Sequence, residues 1–483
     1  MQDLTTGSLS RHLLKTTSFM LVMMVFQTLY FLVDLYWVGR LGTEAVAGVS
    51  IAGNISFLTL AIGQMLGVGT TTVVSHAVGR RDQAEARHLF HQALLLATAV
   101  GALFLVLGLA LLGRYTRALG ADARTAALAA DYLRWFVPAM ALQFPLGAMG
   151  AALRATGNFR PTMLVSTASV VLNMALAPFL IFGWGTGRAY GVAGAAISSL
   201  VAIVVGLAWL GWYFVPETAY LRFDADGWRP RPAAWRRMLG VGLPAGFEFS
   251  MMALYQFVVY TVALPFGAAA QAGFGVGMRV IQAGFMPVVA LGFAVAPVAG
   301  QNFGAGRPER VRATFRQAAL MASGVMALFA VLSHVAPDAM IRTFSDDPAL
   351  VAVGSEYLRI ISWNYVASGL IFVASSMFQA MGNTIPSLVA SGARMALVIV
   401  PTLVLSRQPG FRLTWVWLLA VTSVYVQLAL SLWLLRREFG RRLGAPALSG
   451  AGLPAASPPP IPATSAPSPA PPAADRSART DAA

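Results

Sequence analysis

Two acidic side chains stand inside stretches that otherwise hold almost nothing but apolar residues. Asp34 sits in Phe31-Leu32-Val33-Asp34-Leu35-Tyr36 and Glu248 in Leu243-Pro244-Ala245-Gly246-Phe247-Glu248. Ionisable groups are costly in hydrocarbon, so one that is kept there points to function. Asp34 suits the binding of a proton or cation; the competing reading is a boundary residue capping the outer surface. Gln27 lies seven residues earlier on the same helical face, within reach of that carboxyl or of a ligand. Glu248 reads equally well as a counter-charge for a cationic substrate or as the partner of Arg279 or Arg394. Asn173 is an uncharged polar residue in an apolar run, where inter-helix glue and ligation are both open. Tyr36, Met140, Tyr255 and Trp363 could line a cavity, although at helical spacing such residues more commonly pack.

Other chemistries are weakly supplied. The sequence has no cysteine, which excludes disulfides, thiolate metal sites and cysteine nucleophiles together. His88 and His91 have the spacing of a metal pair but fall at a helix start with no third ligand. Gly63 and Gly67 speak for close helix packing, and Gly273, Gly275 and Gly277 lie in an apolar run rather than a phosphate loop. Neither HExxH nor GxSxG occurs, so no enzyme is expected and no cofactor or metal is called for.

The elements that must position these groups are membrane helices. Only 11% of the 483 residues are charged and 57% are hydrophobic, whereas a soluble domain needs about a quarter charged. A spanning helix takes about 20 apolar residues. Twelve such runs fall near 16–38, 48–76, 89–113, 128–152, 162–183 and 191–215, then 239–264, 272–300, 314–336, 355–380, 386–406 and 412–435. The first is too long for a signal core and lacks a cleavage site. The net charge of +15 lies in short clusters between the runs, not on one continuous face, so nucleic acid is not an expected partner. Counting basic residues on alternate loops gives 20 on the side of the N-terminus and 10 on the other. That bias predicts a bacterial inner-membrane protein with both termini cytoplasmic. On this placement Asp34 lies roughly 27 Å from the cytoplasmic end of its helix.

The halves repeat at a constant offset of 225 residues. Gly42, Ala45, Ala47 and Gly48 return as Gly267, Ala270, Ala272 and Gly273; Gly79, Arg87, Phe90 and Gln92 return as Gly304, Arg312, Phe315 and Gln317. Tyr132-Leu133-Arg134 becomes Tyr357-Leu358-Arg359, and Gly157, Asn158 and Pro161 become Gly382, Asn383 and Pro386. One gapless offset over such a length signals duplication. Six helices per copy give both the same orientation, hence a pseudo-two-fold axis along the membrane normal. The expected fold is an all-α polytopic protein of two six-helix lobes, residues 1–215 and 239–440. A polar connector at 216–238 joins them, and the Pro/Ala/Ser-rich tail at 441–483 has too little apolar content to fold. The position 225 after Asp34 is Val259, so the lobes are chemically unequal.

These residues resemble a known family. Val33-Asp34 followed by Val38-Gly39-Arg40-Leu41-Gly42 looks like the first-helix signature of the multidrug and toxic compound extrusion (MATE) family. The stretch Ala296-Pro297-Val298-Ala299-Gly300-Gln301-Asn302-Phe303-Gly304-Ala305-Gly306-Arg307 resembles its eighth-helix signature, and Gly242-Leu243-Pro244 and Ala380-Met381-Gly382-Asn383-Thr384 fit as well. The resemblance implies a monomeric antiporter in the bilayer. It would export amphipathic, often cationic compounds in exchange for protons, with sodium as the alternative, by alternating access. It also implies an ion-coupling cluster of Asp34, Gln27 and Asn173, with Ser199 a further candidate; on the substrate side the residues themselves offer Glu248, Tyr36, Tyr255 and Trp363. Two departures matter. Ala177 stands where part of the family has a second carboxylate, and Ser362 to Met381 lacks the acid of a sodium-linked branch, whose helix-seven acid lies about one turn later than Glu248. Fewer oxygen ligands favour protons. A lipid-linked oligosaccharide flippase of the same superfamily is the alternative, with only Arg279 and Arg394 to make its basic cavity.

Overall fold

The computed structural model describes residues 2–444, apart from 121, 186 and 218 and the side chains of 225, 226 and 253. The helices are α1 (Leu9–Gly39), α2 (Thr43–Gly79), α3 (Gln83–Leu119), α4 (Ala123–Ala155), α5 (Arg160–Phe182), α6 (Val192–Trp212), α7 (Pro232–Ala263), α8 (Ala268–Gly304), α9 (Pro308–Val335), α10 (Pro337–Arg342), α11 (Pro348–Ile361), α12 (Tyr365–Ala380), α13 (Ile385–Leu405) and α14 (Leu413–Leu443). Among the described residues there is no strand. Twelve spans are long and apolar enough to cross a bilayer; α11 and α12, joined by a 3-10 turn at Ser362–Asn364, form one of them. The tail expected at 441–483 lies outside the described residues from 445 onward.

Several helices run past the apolar stretches that announce them. The α7 helix starts at Pro232 rather than near 239, because a proline in the first turn loses no hydrogen bond and Ala233-Ala234-Trp235-Arg236-Arg237 then propagates the helix. The connector is correspondingly shorter and is tied to α3. Gln92 Nε2 donates to the carbonyls of Gly227 and Arg229, and its Oε1 accepts from Arg231 N at 2.8 Å. His91 donates from Nδ1 to the Arg87 carbonyl and accepts at Nε2 from Asp224 N, the only tautomer that satisfies both. His91 is therefore a structural tie.

The two halves build separate cores. One gathers Phe274, Tyr357 and Trp417 with residues of α7 to α14 and reaches Leu9 and Leu13 of α1; a second gathers Phe90, Phe144 and Phe214 and reaches Met238 of α7; a third gathers Tyr132, Phe136 and Ile181 within the first half. Between the halves, contact concentrates at one end. Val68–Gly79 of α2 and Ala294–Asn302 of α8 are buried at every position, while the other ends of both helices keep exposed faces. The crossing is two-fold. A Cβ on Gly79 would strike the Gln301 carbonyl, and one on Gly304, its repeat mate, would strike the His76 carbonyl. His76 Nε2 donates to Ala380 O at 2.7 Å, and Gln301 Nε2 donates to Ala155 O at 2.7 Å. Both members of the second pair lie 225 residues from those of the first, exchanged between lobes. This closed end also carries Arg80, Arg81, Arg307, Arg310 and Arg442, so it is the basic end of the bundle.

The segment ahead of α1 seals that junction. Leu4 is 0% exposed; its N–H donates to Gln301 Oε1 and its carbonyl accepts from Asn302 Nδ2. On the first-half side, Gln2 N donates to Thr156 O, and Asp3 lies 3.6 Å from Arg81. On the second-half side, Arg307 and Arg310 donate to the carbonyls of Thr5 and Gly7. One short strap thus binds both lobes.

Candidate functional site

In the first half, α1, α5 and α6 meet around a polar cluster. Asn173 Nδ2 donates to Ser199 Oγ at 3.0 Å and to Ser198 Oγ at 3.3 Å, and Tyr30 Oη pairs with Ser199 Oγ at 2.9 Å. Asn173, Ser198 and Ser199 are all buried. Asp34 lies one turn beyond Tyr30 on the same face of α1. Its Oδ1 is buried with no hydrogen-bond partner. Asn173 and Ser199 therefore stand together as expected, with Asp34 beside them. Gln27 does not: it is exposed, and among the described residues it makes no bond to Asp34. Its polar head is too far along the open face of α1.

In the second half, Glu248 is held by hydroxyls rather than by arginine. Its carboxylate accepts from Ser391 at 2.8 Å, from Ser387 at 2.9 and 3.1 Å, and from Ser375 at 3.4 Å. Gln427 donates to Ser391 at 3.0 Å, and its own Oε1 is buried without a partner. Four helices, α7, α12, α13 and α14, thus converge on one acid. The alternative of an ion pair with Arg279 or Arg394 does not occur among the described residues.

The remaining aromatic candidates scatter. Tyr36 is 54% exposed, with the Arg40 guanidinium 4.9 Å above its ring. Trp363 is 64% exposed and packs edge-on against His334, 5.9 Å between centroids. Tyr255 is buried, and Arg394 lies 5.7 Å from its ring centre.

Sequence reasoning passed over Tyr30, Tyr132 and Ser198 in one lobe, and Ser375, Ser387, Ser391 and Gln427 in the other. Only Ser387 and Ser391 carry a sequence signal, being four apart and so on one helical face. The other serines are individually unremarkable, since hydroxyls in apolar helices commonly bond their own backbone, as Ser250 does to Gly246 O.

Comparison with known proteins matches this architecture. The MatE family profile matches residues 20–179 and again 244–404. An FAD transporter of Shewanella oneidensis is 27% identical over 377 residues, 77% of this chain and 82% of that protein. Multidrug export protein MepA of Staphylococcus haemolyticus is 24% identical over 388 residues, 80% of this chain and 84% of that protein. An outward-facing multidrug resistance MATE family transporter superposes with a TM-score of 0.83 at 23% identity, covering 91% of this chain and 97% of its own. A MOP superfamily transporter from Pyrococcus furiosus, described for the reverse polarity of its binding pocket, superposes with a TM-score of 0.84 at 23% identity, over 92% and 98%.

Proposed function

This chain belongs to the MatE family of multi-pass membrane transporters, and from that membership we propose that it is a secondary active efflux antiporter of the bacterial inner membrane. It exchanges amphipathic compounds, many of them cationic, for protons. The basic end faces the cytoplasm, a reading that the distribution of arginines supports. The conformation described is then closed inward and parted outward.

The observation that carries the coupling is Asp34: a carboxyl with one oxygen dry and unpartnered, in one lobe only. The repeat position holds Val259, and the position of Asn173 repeats as Val398. Packing did not demand polarity at either place, so the cluster serves something the second lobe does not do. In the outward-parted state Asp34 takes a proton from the external side. Its neutral form lies easily beside Tyr30 and Tyr132, and cargo held against the negative form is released. The lobes then rock about the α2–α8 crossing, the proton leaves to the cytoplasm, and cargo binds again. A hundredfold difference in proton affinity between the two states supplies about 2.7 kcal/mol of bias. That is half of the roughly 5.5 kcal/mol that swings a two-state equilibrium fully. Sodium is disfavoured because Asn173, Ser198 and Ser199 already bond one another and Asp34 is the sole acid, fewer free oxygens than a sodium cage uses.

A sensitive host expressing the protein tests this. Resistance to cationic dyes should appear, vanish with an uncoupler, and be absent in Asp34→Asn at equal membrane abundance. Resistance that survives both treatments contradicts proton coupling.

A further inference from the structure

The two lobes keep the same pair of tyrosines and give them opposite charges. Tyr30 and Tyr132 of the first lobe repeat 225 residues later as Tyr255 and Tyr357. In the first lobe Asp34 lies one turn beyond Tyr30 on the same face of α1. In the second lobe the guanidinium of Arg394 lies over the Tyr255 ring, 5.7 Å from its centre. Among the described residues Arg394 makes no ion pair, and its Nε is buried without a hydrogen-bond partner. Such a donor in the interior of a bundle costs free energy unless something comes to meet it. Glu248 does not meet it, since three serines hold that carboxylate.

A second cation stands at the same level. Tyr357 Oη donates to Met278 Sδ at 3.0 Å, and Arg279 is the next residue of α8. Arg279 is exposed on a face that also carries exposed Gln282. A polar face at this depth looks into an aqueous cleft rather than into lipid. Aromatic surface surrounds the pair. Phe274 stacks on Trp417 at 5.4 Å, and Tyr260, 5.0 Å from Phe274, is 39% exposed.

We infer that Arg394, with Arg279, forms an anion site in the second lobe that takes the carboxylate or phosphate group of an aromatic solute. The guanidinium supplies bidentate donors, and the tyrosine and phenylalanine rings supply the flat apolar surface. The solutes it selects are aromatic anions and zwitterions, in addition to the cations named above. As a cargo site it rests on the exporter reading; as a binding site it does not.

The test uses two xanthene dyes of matched size, anionic carboxyfluorescein and cationic rhodamine 6G, with purified full-length protein in nanodiscs and anisotropy as the readout. Carboxyfluorescein should bind the wild type. Arg394→Gln should weaken it about tenfold, Arg279→Gln about threefold, and Arg394→Lys should retain most of the affinity. Rhodamine 6G affinity should change less than about twofold in all three, which a merely structural arginine would not arrange. Arg279→Gln lies on an exposed face and keeps the test decisive should Arg394→Gln fail to fold. Carboxyfluorescein binding that is absent in the wild type, or as tight in Arg279→Gln as in the wild type, overturns the site. Dye export by everted vesicles is read separately. Its failure alongside an intact charge-selective site would defeat the exporter reading and leave the site standing.

Discussion

At the scale of single residues, the polar groups buried between helices gather into a few clusters. Asn173 is the hub of the first-lobe cluster, donating to two serines, one of which also meets Tyr30. Asn173→Ala should cost about 1–2 kcal/mol, because it strips partners from buried hydroxyls. It should also slow ion-driven export more than Ser198→Ala, which leaves the Tyr30–Ser199–Asn173 chain intact. Thermal stability in detergent and export rates in vesicles check the two halves of that statement. Asp34 and Asn173 were legible in the sequence because each interrupts an apolar run. Ser375 and Gln427 were not, because a hydroxyl or amide in a helix declares its partner only when another helix is brought against it. Tyr36 and Trp363 show the converse. Their spacing does not distinguish a cleft from the lipid face, and both lie at exposed positions.

At the scale of elements, the strap ahead of α1 and the α2–α8 crossing hold the basic end shut. Net bonds of about 1 kcal/mol each, several of them bridging lobes, amount to the few kcal/mol that a conformational switch needs. Gln301 is central, accepting from Leu4 N while donating to Ala155 O. Leu4→Asp or Gln301→Ala should loosen the seal. The absence of native cysteine makes a single reporter clean. Cysteine at buried Ser75 should label several times faster with a membrane-impermeant maleimide from the cytoplasmic side in either variant. Unchanged labelling would mean the strap is ornamental. Acid should not mimic this effect near neutrality. Burial pushes the Asp3 carboxyl up, but its bonds from Thr5 and the nearby Arg81 and Arg307 outweigh that and hold it below the usual carboxylate range. A depressed acid keeps its contribution above its unfolded value and loses it only as pH falls through the folded one. The strap should therefore stay latched from pH 8 to about 5. Helix existence was readable from hydropathy, and the ends were not. Charged first turns such as Arg236-Arg237 continue a helix into water, where an apolar window no longer sees it. The six-residue α10 escaped for the same reason, being polar and short.

At the scale of the whole molecule, duplication made two bundles and divergence gave them different chemistry. The repeat was visible as a constant offset, and the structure adds what that offset does. His76 with Ala380 and Gln301 with Ala155 are one contact used twice across the axis. The polar sites, in contrast, do not repeat: Asp34 and Asn173 face valines in the second copy, and Glu248 corresponds to Met23. A symmetric hinge with asymmetric contents is what ion-coupled rocking calls for, since only one lobe has to change charge. Purified protein in liposomes, loaded with rhodamine 6G and given an imposed pH gradient, tests this most directly. Dye movement should follow the direction and size of the proton gradient in the wild type and fall to the level of empty liposomes in Asp34→Asn. Movement indifferent to the gradient, or undiminished in that variant, would contradict the account.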